Sequence, residues 1–160
     1  MNTAKPLILR RETYLKMIEN SPGTKIFNSI FALVGDDKKD ILENGGLSCA
    51  TFVSNILFIN GLLPQQRTTV NSLEKDLLAS ESYEQISPLD YIPEAGDIVI
   101  WEKIKFKNDT EHRHVGYILN EQEAISTSGI EKGVCRHNIY RNMEESEKNR
   151  RIEKIFRYRF

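Results

Sequence analysis

The clearest hydrophobic pattern in the chain follows the turn at Asn44-Gly45-Gly46. Apolar residues recur there at steps of three or four, the spacing of one helix face, and they include Ala50, Val53, Ile56 and Leu57, with Phe52 and Phe58 beside them. Asn60 continues the spacing and Gly61 ends it. The pattern predicts a buried helix that begins near Cys49, has Ser48 as its N-cap and stops before Gly61.

Three further segments have helical spacing. Arg10 to Asn20 is amphipathic and ends at Ser21-Pro22-Gly23, which favours a turn. Ile26 to Val34 also has helix-like apolar positions, so we expect a core helix there, followed by a charged turn over Gly35 to Asp40. Asn71-Ser72-Leu73-Glu74 matches a capping box and predicts a helix through Ala79.

The second half of the chain favours strands. An irregular stretch over Ser87 to Ala95 precedes the first of them, and the predicted strands are Gly96 to Trp101, His114 to Leu119, Glu123 to Thr127, Gly133 to Cys135 and Ile152 to Phe160. A tight turn at Asn120-Glu121-Gln122 makes the second and third of these an antiparallel pair. We therefore expect an α+β fold in one domain over residues 1–160, with N-terminal helices packed on an antiparallel sheet.

Cys49 is the candidate nucleophile because of its place at the predicted helix start. Unpaired N–H groups and the positive dipole end favour an anion there, so we expect a lowered thiol pKa and a partly ionised thiol. A thiolate attacks carbonyl carbon readily. The alternative is that Cys49 is a small buried apolar residue, as most non-disulfide cysteines are.

His114 is the candidate base. It begins a predicted strand, where a side chain is held rigidly and can still face a cleft, and histidine is the usual base for a cysteine nucleophile. The 65 positions between Cys49 and His114 are no obstacle, because such partners meet in the fold. His112 shares the face of His114 and is the competing histidine, while a strand-end histidine can also be an ordinary surface residue.

Taken together, these motifs resemble the NlpC/P60 and CHAP group of papain-like cysteine peptidases and amidases. The resemblance covers about Asn44 to Ser128: a Cys at a helix start, Gly96-Asp97 before three apolar residues and Trp101, and His114-Val115-Gly116 before an apolar run. It implies that Cys49 is the nucleophile, that His114 is the general base and that Asp97 belongs to a structural turn. It also implies amide bonds of peptidoglycan or similar peptides as the substrate, with no cofactor.

The chain departs from that group at two places. Group members usually have Asp-Cys-Ser/Ala-Gly-Phe-Val, often after a tyrosine, whereas this chain has Ser48-Cys49-Ala50-Thr51-Phe52-Val53 and no tyrosine over Asp40 to Glu43. The polar residue that orients the imidazole is commonly a histidine, and its equivalent here is Ser126. Serine can bond an imidazole N–H but cannot stabilise an imidazolium as a carboxylate does. The competing candidates for this role are Asn120, Glu123 and His137.

Composition and charge exclude several other classes. The 160 residues carry a net charge of −1, which argues against a nucleic-acid partner, and the charged segment Arg141 to Arg151 is expected to be a solvated surface. No apolar run approaches the roughly 18 residues of a membrane span. No Cys/His spacing predicts a zinc site, and we expect Cys135 to take no part in the chemistry.

The sequence thus predicts a cysteine-dependent amide hydrolase and leaves two alternatives. Met1 to Pro6 lacks the apolar core of a secretory signal. We therefore expect a cytoplasmic protein, export by another route, or a sequence that begins after a removed leader. A cytoplasmic location favours the first alternative, a related enzyme acting on an intracellular protein or small amide as a deamidase, acyltransferase or effector toxin. The second is a binding module that keeps the fold without catalysis.

Overall fold

The computed structural model describes residues 5–105, 111–140 and 150–160, and the fold is mixed α/β in these ranges. The described part has three α-helices, α1 (Arg10–Glu19), α2 (Cys49–Ile59) and α3 (Val70–Ala79). Its strands are β1 (Phe31–Val34), β2 (Asp37–Asp40), β3 (Tyr83–Ile86), β4 (Ile98–Lys105), β5 (Glu111–Ile118), β6 (Glu123–Ser128), β7 (Gly133–Asn138) and β8 (Ile152–Tyr158). A 3₁₀ turn lies at Pro88–Asp90. None of the helices in the described ranges is long and apolar enough to cross a membrane.

The main sheet has six strands in the order β3-β8-β4-β5-β6-β7, and every neighbouring pair is antiparallel. Strands β5 and β6 form the antiparallel pair that the sequence predicts, and β7 pairs with the other edge of β6. The C-terminal strand β8 instead inserts between β3 and β4. Helix α2 packs on β5 and β6, so the predicted arrangement of helices against an antiparallel sheet is confirmed.

Aromatic packing fixes α2 against the sheet. Phe52 and Val53 of α2 are fully buried, as is Tyr117 of β5. The Tyr117 hydroxyl donates to the Val53 carbonyl at 2.7 Å, and its ring meets Phe52 edge to face with centroids 5.6 Å apart. The bond satisfies the buried hydroxyl and sets the height of α2 over β5. The first residue of α2 is thereby positioned relative to the strand that carries His114.

The helix expected over Ile26 to Val34 and the turn over Gly35 to Asp40 are both wrong. Strand β1 pairs with β2 in a separate hairpin, with Val34 opposite Asp37. That register leaves a two-residue loop, in which Gly35 takes the first position with φ +64°. Glycine at this position favours a tight hairpin turn, and this local turn chemistry overrides the helical spacing. Most of the β1 side chains are exposed.

The N-termini of α2 and α3 are capped differently from the sequence-based expectation. The Ser48 hydroxyl donates to the Gly45 carbonyl at 3.0 Å and accepts no N–H of α2, so Ser48 is the N-cap residue without a side-chain cap. In α3 the cap is Thr69, whose hydroxyl oxygen accepts the Ser72 N–H at 3.2 Å. The helix therefore begins at Val70, before the capping box expected at Asn71.

Asp97 organises the entry to β4. Its carboxylate is buried, at 1% exposure, and accepts the Glu94 N–H and the Tyr91 hydroxyl, both at 2.9 Å. Arg157 of β8 donates to both carboxylate oxygens at 2.8 Å. These four bonds satisfy a charge that would otherwise be costly to bury. Asp97 thus holds β4 and β8 together, a structural role that fits the expected Gly-Asp turn.

Candidate active site

Cys49 is the first residue of α2, and the loop before it is held by the Asp40 side chain and passes close to Asn28 at Gly45. The Asp40 carboxylate accepts the Ile30 and Leu42 N–H groups at 3.1 Å and the Asn44 N–H at 2.9 Å. Gly45 has φ +93°, and a Cβ there would lie 2.9 Å from Asn28. Only glycine combines this backbone with the close approach of Asn28. The Asn-Gly-Gly turn thus delivers the chain into α2 at Cys49.

His114 lies inside β5, opposite Trp101 of β4. The strand begins at Glu111, so the expectation that His114 starts it is wrong. Three polar residues, the exposed Glu111 and the half-buried His112 and Arg113, extend β5 before His114. The Trp101 and His114 rings are 5.7 Å apart at an interplanar angle of 33°. This ring contact limits rotation of the imidazole.

Cys49 and His114 line the same pocket, which has a volume of about 560 Å³. Residues from the Cys49 loop, the start of α3, β5 and the β6–β7 turn form its walls, among them Leu47, Val70, Thr127 and Gly129. A larger groove of about 720 Å³ lies between α1 and α2, but it is lined by neither Cys49 nor a histidine. The smaller pocket is therefore the candidate active site.

Ser126 is the hydrogen-bond partner of His114. Its hydroxyl lies 2.9 Å from His114 Nε2, and the residue is fully buried on β6. The same hydroxyl lies 2.8 Å from Nε2 of His137 on β7, so two residues named by the sequence as competitors lie in one chain of bonds. Asn120 and Glu123 bond each other at 2.8 Å in the exposed β5–β6 turn. The structure therefore brings Ser126 and His137 next to His114 and leaves Asn120 and Glu123 at the turn.

Gly116 explains how Ser126 reaches His114 from the neighbouring strand. A Cβ at Gly116 would lie 2.5 Å from the Ile125 carbonyl oxygen and 2.7 Å from the Ser126 Cβ. No side chain larger than hydrogen fits there unless β5 and β6 separate. The glycine of the His-Val-Gly motif thus permits the close approach of the two strands beside His114.

The pKa values at the site differ from the sequence-based expectation. Burial raises the pKa of the Cys49 thiol, although the Val115 and Ala50 N–H groups and the charge of Arg150 oppose that rise. Burial also lowers the pKa of His114 well below its usual value, and the charges of Arg150 and His137 add to that effect. The shift at Cys49 is opposite to the lowered thiol pKa expected from the helix start, and the two shifts favour the uncharged forms of Cys49 and His114.

Arg150 is a site residue that the sequence analysis missed. The segment Arg141 to Arg151 was expected to be solvated, and residues 141–149 lie outside the described ranges, but Arg150 is only 6% exposed. Its Nη2 donates to the His112 carbonyl at 3.1 Å, and the residue lines the pocket with Cys49 and His114. Its neighbours in sequence are charged and give no periodic signal that separates it from a surface residue.

The remaining candidates are placed as follows. His112 also lines the pocket and is partly buried, so it stays the alternative histidine. Cys135 lies on β7 directly opposite Ser126, away from the pocket lining, and forms no disulfide with Cys49. In the described ranges, no group of three or more His, Cys, Asp or Glu side chains is arranged to hold a metal ion.

Comparison with known proteins adds no relative. The chain matches no protein-family model, and a search of curated proteins gives no matching sequence. The function must therefore be argued from the site itself.

Proposed function

We propose that the protein is a cysteine-dependent hydrolase of amide bonds. The observation that carries the proposal is one pocket lined by a thiol at a helix start and by an imidazole. The Nε2 atom of that imidazole is hydrogen-bonded to a buried hydroxyl. Nucleophile, base and orienting group are the three parts that this chemistry needs. Cys49, His114 and Ser126 fill those roles.

The reaction begins from the neutral pair. His114 accepts the thiol proton as the Cys49 sulfur attacks the carbonyl carbon, and the carbonyl oxygen becomes an oxyanion. N–H groups at the start of α2 and the positive charge of Arg150 in the pocket wall favour that oxyanion. The protonated His114 then gives its proton to the leaving amine as the C–N bond breaks. Water, deprotonated by His114, hydrolyses the thioester and restores the thiol.

The substrate class comes from the resemblance to the NlpC/P60 and CHAP group. Its motifs fall on matching elements here: Cys49 starts a helix, Asp97 enters β4 and His114 lies on β5, in an antiparallel sheet. Together with the resemblance, these placements favour peptide amides of the peptidoglycan type as substrates. Ser126 stands where the group commonly has a histidine, which favours a slower enzyme because a hydroxyl does not stabilise an imidazolium as well.

Digestion of purified peptidoglycan and of short muropeptides, followed by mass spectrometry, tests this proposal. The wild type should release peptide fragments and form a covalent acyl adduct on Cys49, whereas Cys49→Ala should do neither. Cys135→Ala is the matched control and should keep full turnover, because Cys135 lies outside the pocket.

Four outcomes change the assignment. Turnover in Cys49→Ala rejects the thiol nucleophile. Loss of turnover in His112→Ala with retention in His114→Ala moves the base to His112. Binding of muropeptides without cleavage or adduct indicates a binding module, and adducts from intracellular amides alone indicate the related enzyme class.

A further inference from the structure

We propose that His137 is a positioning residue that fixes the tautomer of His114 through Ser126. This inference rests on the proposed function, since it concerns how the base of that reaction is prepared. It uses three consecutive bonds: Asn138 O to His137 Nδ1 at 2.9 Å, His137 Nε2 to Ser126 Oγ at 2.8 Å, and Ser126 Oγ to His114 Nε2 at 2.9 Å.

The proton order follows from the carbonyl at one end. A backbone carbonyl only accepts hydrogen bonds, so His137 Nδ1 must carry the proton in the bond to Asn138. The proposal concerns the uncharged form of His137, which has this one N–H and therefore a lone pair on Nε2; the charged form that contributes to the His114 shift has protons on both nitrogens and is not part of this proton order. The Ser126 hydroxyl is therefore the donor to His137.

The same reasoning extends to His114. A serine hydroxyl has a single proton, so once Ser126 donates it to His137, its oxygen can only accept from His114. His114 Nε2 must then carry the N–H, and Nδ1 is the nitrogen with the lone pair. Nδ1 is the atom left to accept the Cys49 proton, so one backbone carbonyl on β7 determines which nitrogen is basic.

Solvent has little access to the bond between Ser126 and His137. Ser126 is 0% exposed and His137 is 8% exposed. The Trp101 ring lies 5.7 Å from the His114 ring and 5.5 Å from the His137 ring, and its Nε1 donates to the Ile139 carbonyl at 2.8 Å. One anchored indole thus contacts both imidazole rings. Buried polar groups beside it depend on hydrogen bonds to protein partners.

A matched pair of amide variants tests the inference. In His137→Gln the side-chain oxygen can reach the position of Nε2 and still accept from Ser126. In His137→Asn the amide reaches only the position of Nδ1, so Ser126 can turn and donate to His114 instead. That reversal favours the Nδ1–H tautomer of His114, in which Nδ1 has no lone pair to accept the thiol proton.

The readouts are ring ¹⁵N NMR and steady-state kinetics. The chain has three histidines, so ¹⁵N-histidine labelling gives a spectrum that single substitutions can assign. We expect the Nε2–H tautomer of His114 in the wild type and in His137→Gln, and growth of the Nδ1–H form in His137→Asn. The kcat of His137→Asn should fall about tenfold with KM unchanged, because proton transfer and not substrate binding is affected.

A double variant separates positioning from a general structural role. If His137 acts through Ser126, adding His137→Asn to Ser126→Ala should cost no further kcat. A full additional loss in the double variant would show a separate structural role and overturn the inference. An Nδ1–H tautomer of His114 in the wild type would overturn it without any variant that has to fold. The stated tautomers in a protein that hydrolyses no amide would support the bond chain and reject the proposed hydrolase.

Discussion

At the scale of single residues, burial outweighs the helix N-terminus at Cys49. Backbone N–H groups of Val115 and Ala50 and the charge of Arg150 stabilise the thiolate, yet loss of water still leaves the thiol pKa raised. His114 is affected in the opposite direction, because burial disfavours its charged form. Both shifts favour the neutral pair, so the proposed enzyme uses His114 as a general base and not as one half of a stored ion pair.

The rate of Cys49 alkylation against pH tests this conclusion. In a Cys135→Ala background, the iodoacetamide rate should be low near pH 6 and should keep rising through pH ~9, because only the thiolate reacts and the thiol pKa is raised. Trapped adduct is measured by mass spectrometry at fixed times. The conclusion fails if the rate reaches a plateau below pH 7, which is the signature of a preformed thiolate–imidazolium pair.

Which site residues the sequence could predict depends on how local their signals are. Ser126 follows from strand alternation and a short antiparallel return, and the structure puts its hydroxyl beside His114. The contribution of His137 depends on a third strand, and that of Arg150 on a charged segment with no periodicity. The sequence names His137 only as a competitor for the role of Ser126 and gives no sign of Arg150, because the placement of both residues is decided by tertiary packing across the sheet.

At the scale of elements, the contact between β5 and β6 depends on Gly116. In Gly116→Ala the added methyl would meet the Ile125 carbonyl and the Ser126 Cβ at distances far inside normal contact. We expect a loss of about 1–3 kcal/mol in the free energy of unfolding, as for other overpacked sites. Because the strands must separate, the His114–Ser126 bond should break and turnover should fall as well. Urea unfolding and a turnover assay measure the two effects.

Gly46→Ala is the matched control for stability. Its added methyl would come no closer than 3.5 Å to a neighbour, and the backbone there needs no positive φ. It should unfold within about 0.5 kcal/mol of the wild type. Equal stability of the Gly116 and Gly46 variants would show that β5 and β6 tolerate the extra volume.

The elements that the sequence predicted have strong, uninterrupted periodicity. Helix α2 and strands β5 and β6 follow spacings of 3.6 and 2, and tertiary packing reinforces both. The hairpin of β1 and β2 was missed because a nine-residue apolar segment fits either spacing and the glycine turn decides between them. Strand β3 was missed because it has only four residues on the sheet edge, of which Tyr83 alone is buried.

At the scale of the whole molecule, strand order is the feature that local patterns do not contain. Strand β8 is predicted as the last strand, but its position between β3 and β4 depends on contacts with residues far along the chain. The bonds between Arg157 and Asp97 span 60 residues and join β8 to the entry of β4. A buried ion pair of this kind contributes specificity for one arrangement of strands.

Removing that arginine should destabilise the protein strongly. Arg157→Met leaves the buried Asp97 carboxylate without its charged partner, and we expect a loss of about 3 kcal/mol or more in the free energy of unfolding. Arg159→Met is the control on the same C-terminal segment, because the Arg159 side chain makes an exposed ion pair with Glu84 at 3.5 Å. It should change stability by less than about 1 kcal/mol. Similar losses in the two variants, measured by chemical unfolding, would contradict the structural importance assigned to Asp97.

The lowered pKa of His114 makes the stability of the whole fold depend on pH in a defined window. Burial first, and then the charges of Arg150 and His137, hold the folded-state pKa well below the usual 6.5, so the unfolded chain binds this proton more readily. The contribution is therefore complete above about pH 6.5 and is lost as the pH falls toward the folded-state pKa, with a slope of at most about 1.4 kcal/mol per pH unit. Urea unfolding between pH 5 and 8 should show this loss in the wild type and a smaller one in His114→Gln, which has no proton to bind. Identical pH slopes in the two proteins would mean that the His114 imidazole is not held uncharged by the fold. The proton order inferred along His114, Ser126 and His137 requires that uncharged imidazole and would then be contradicted.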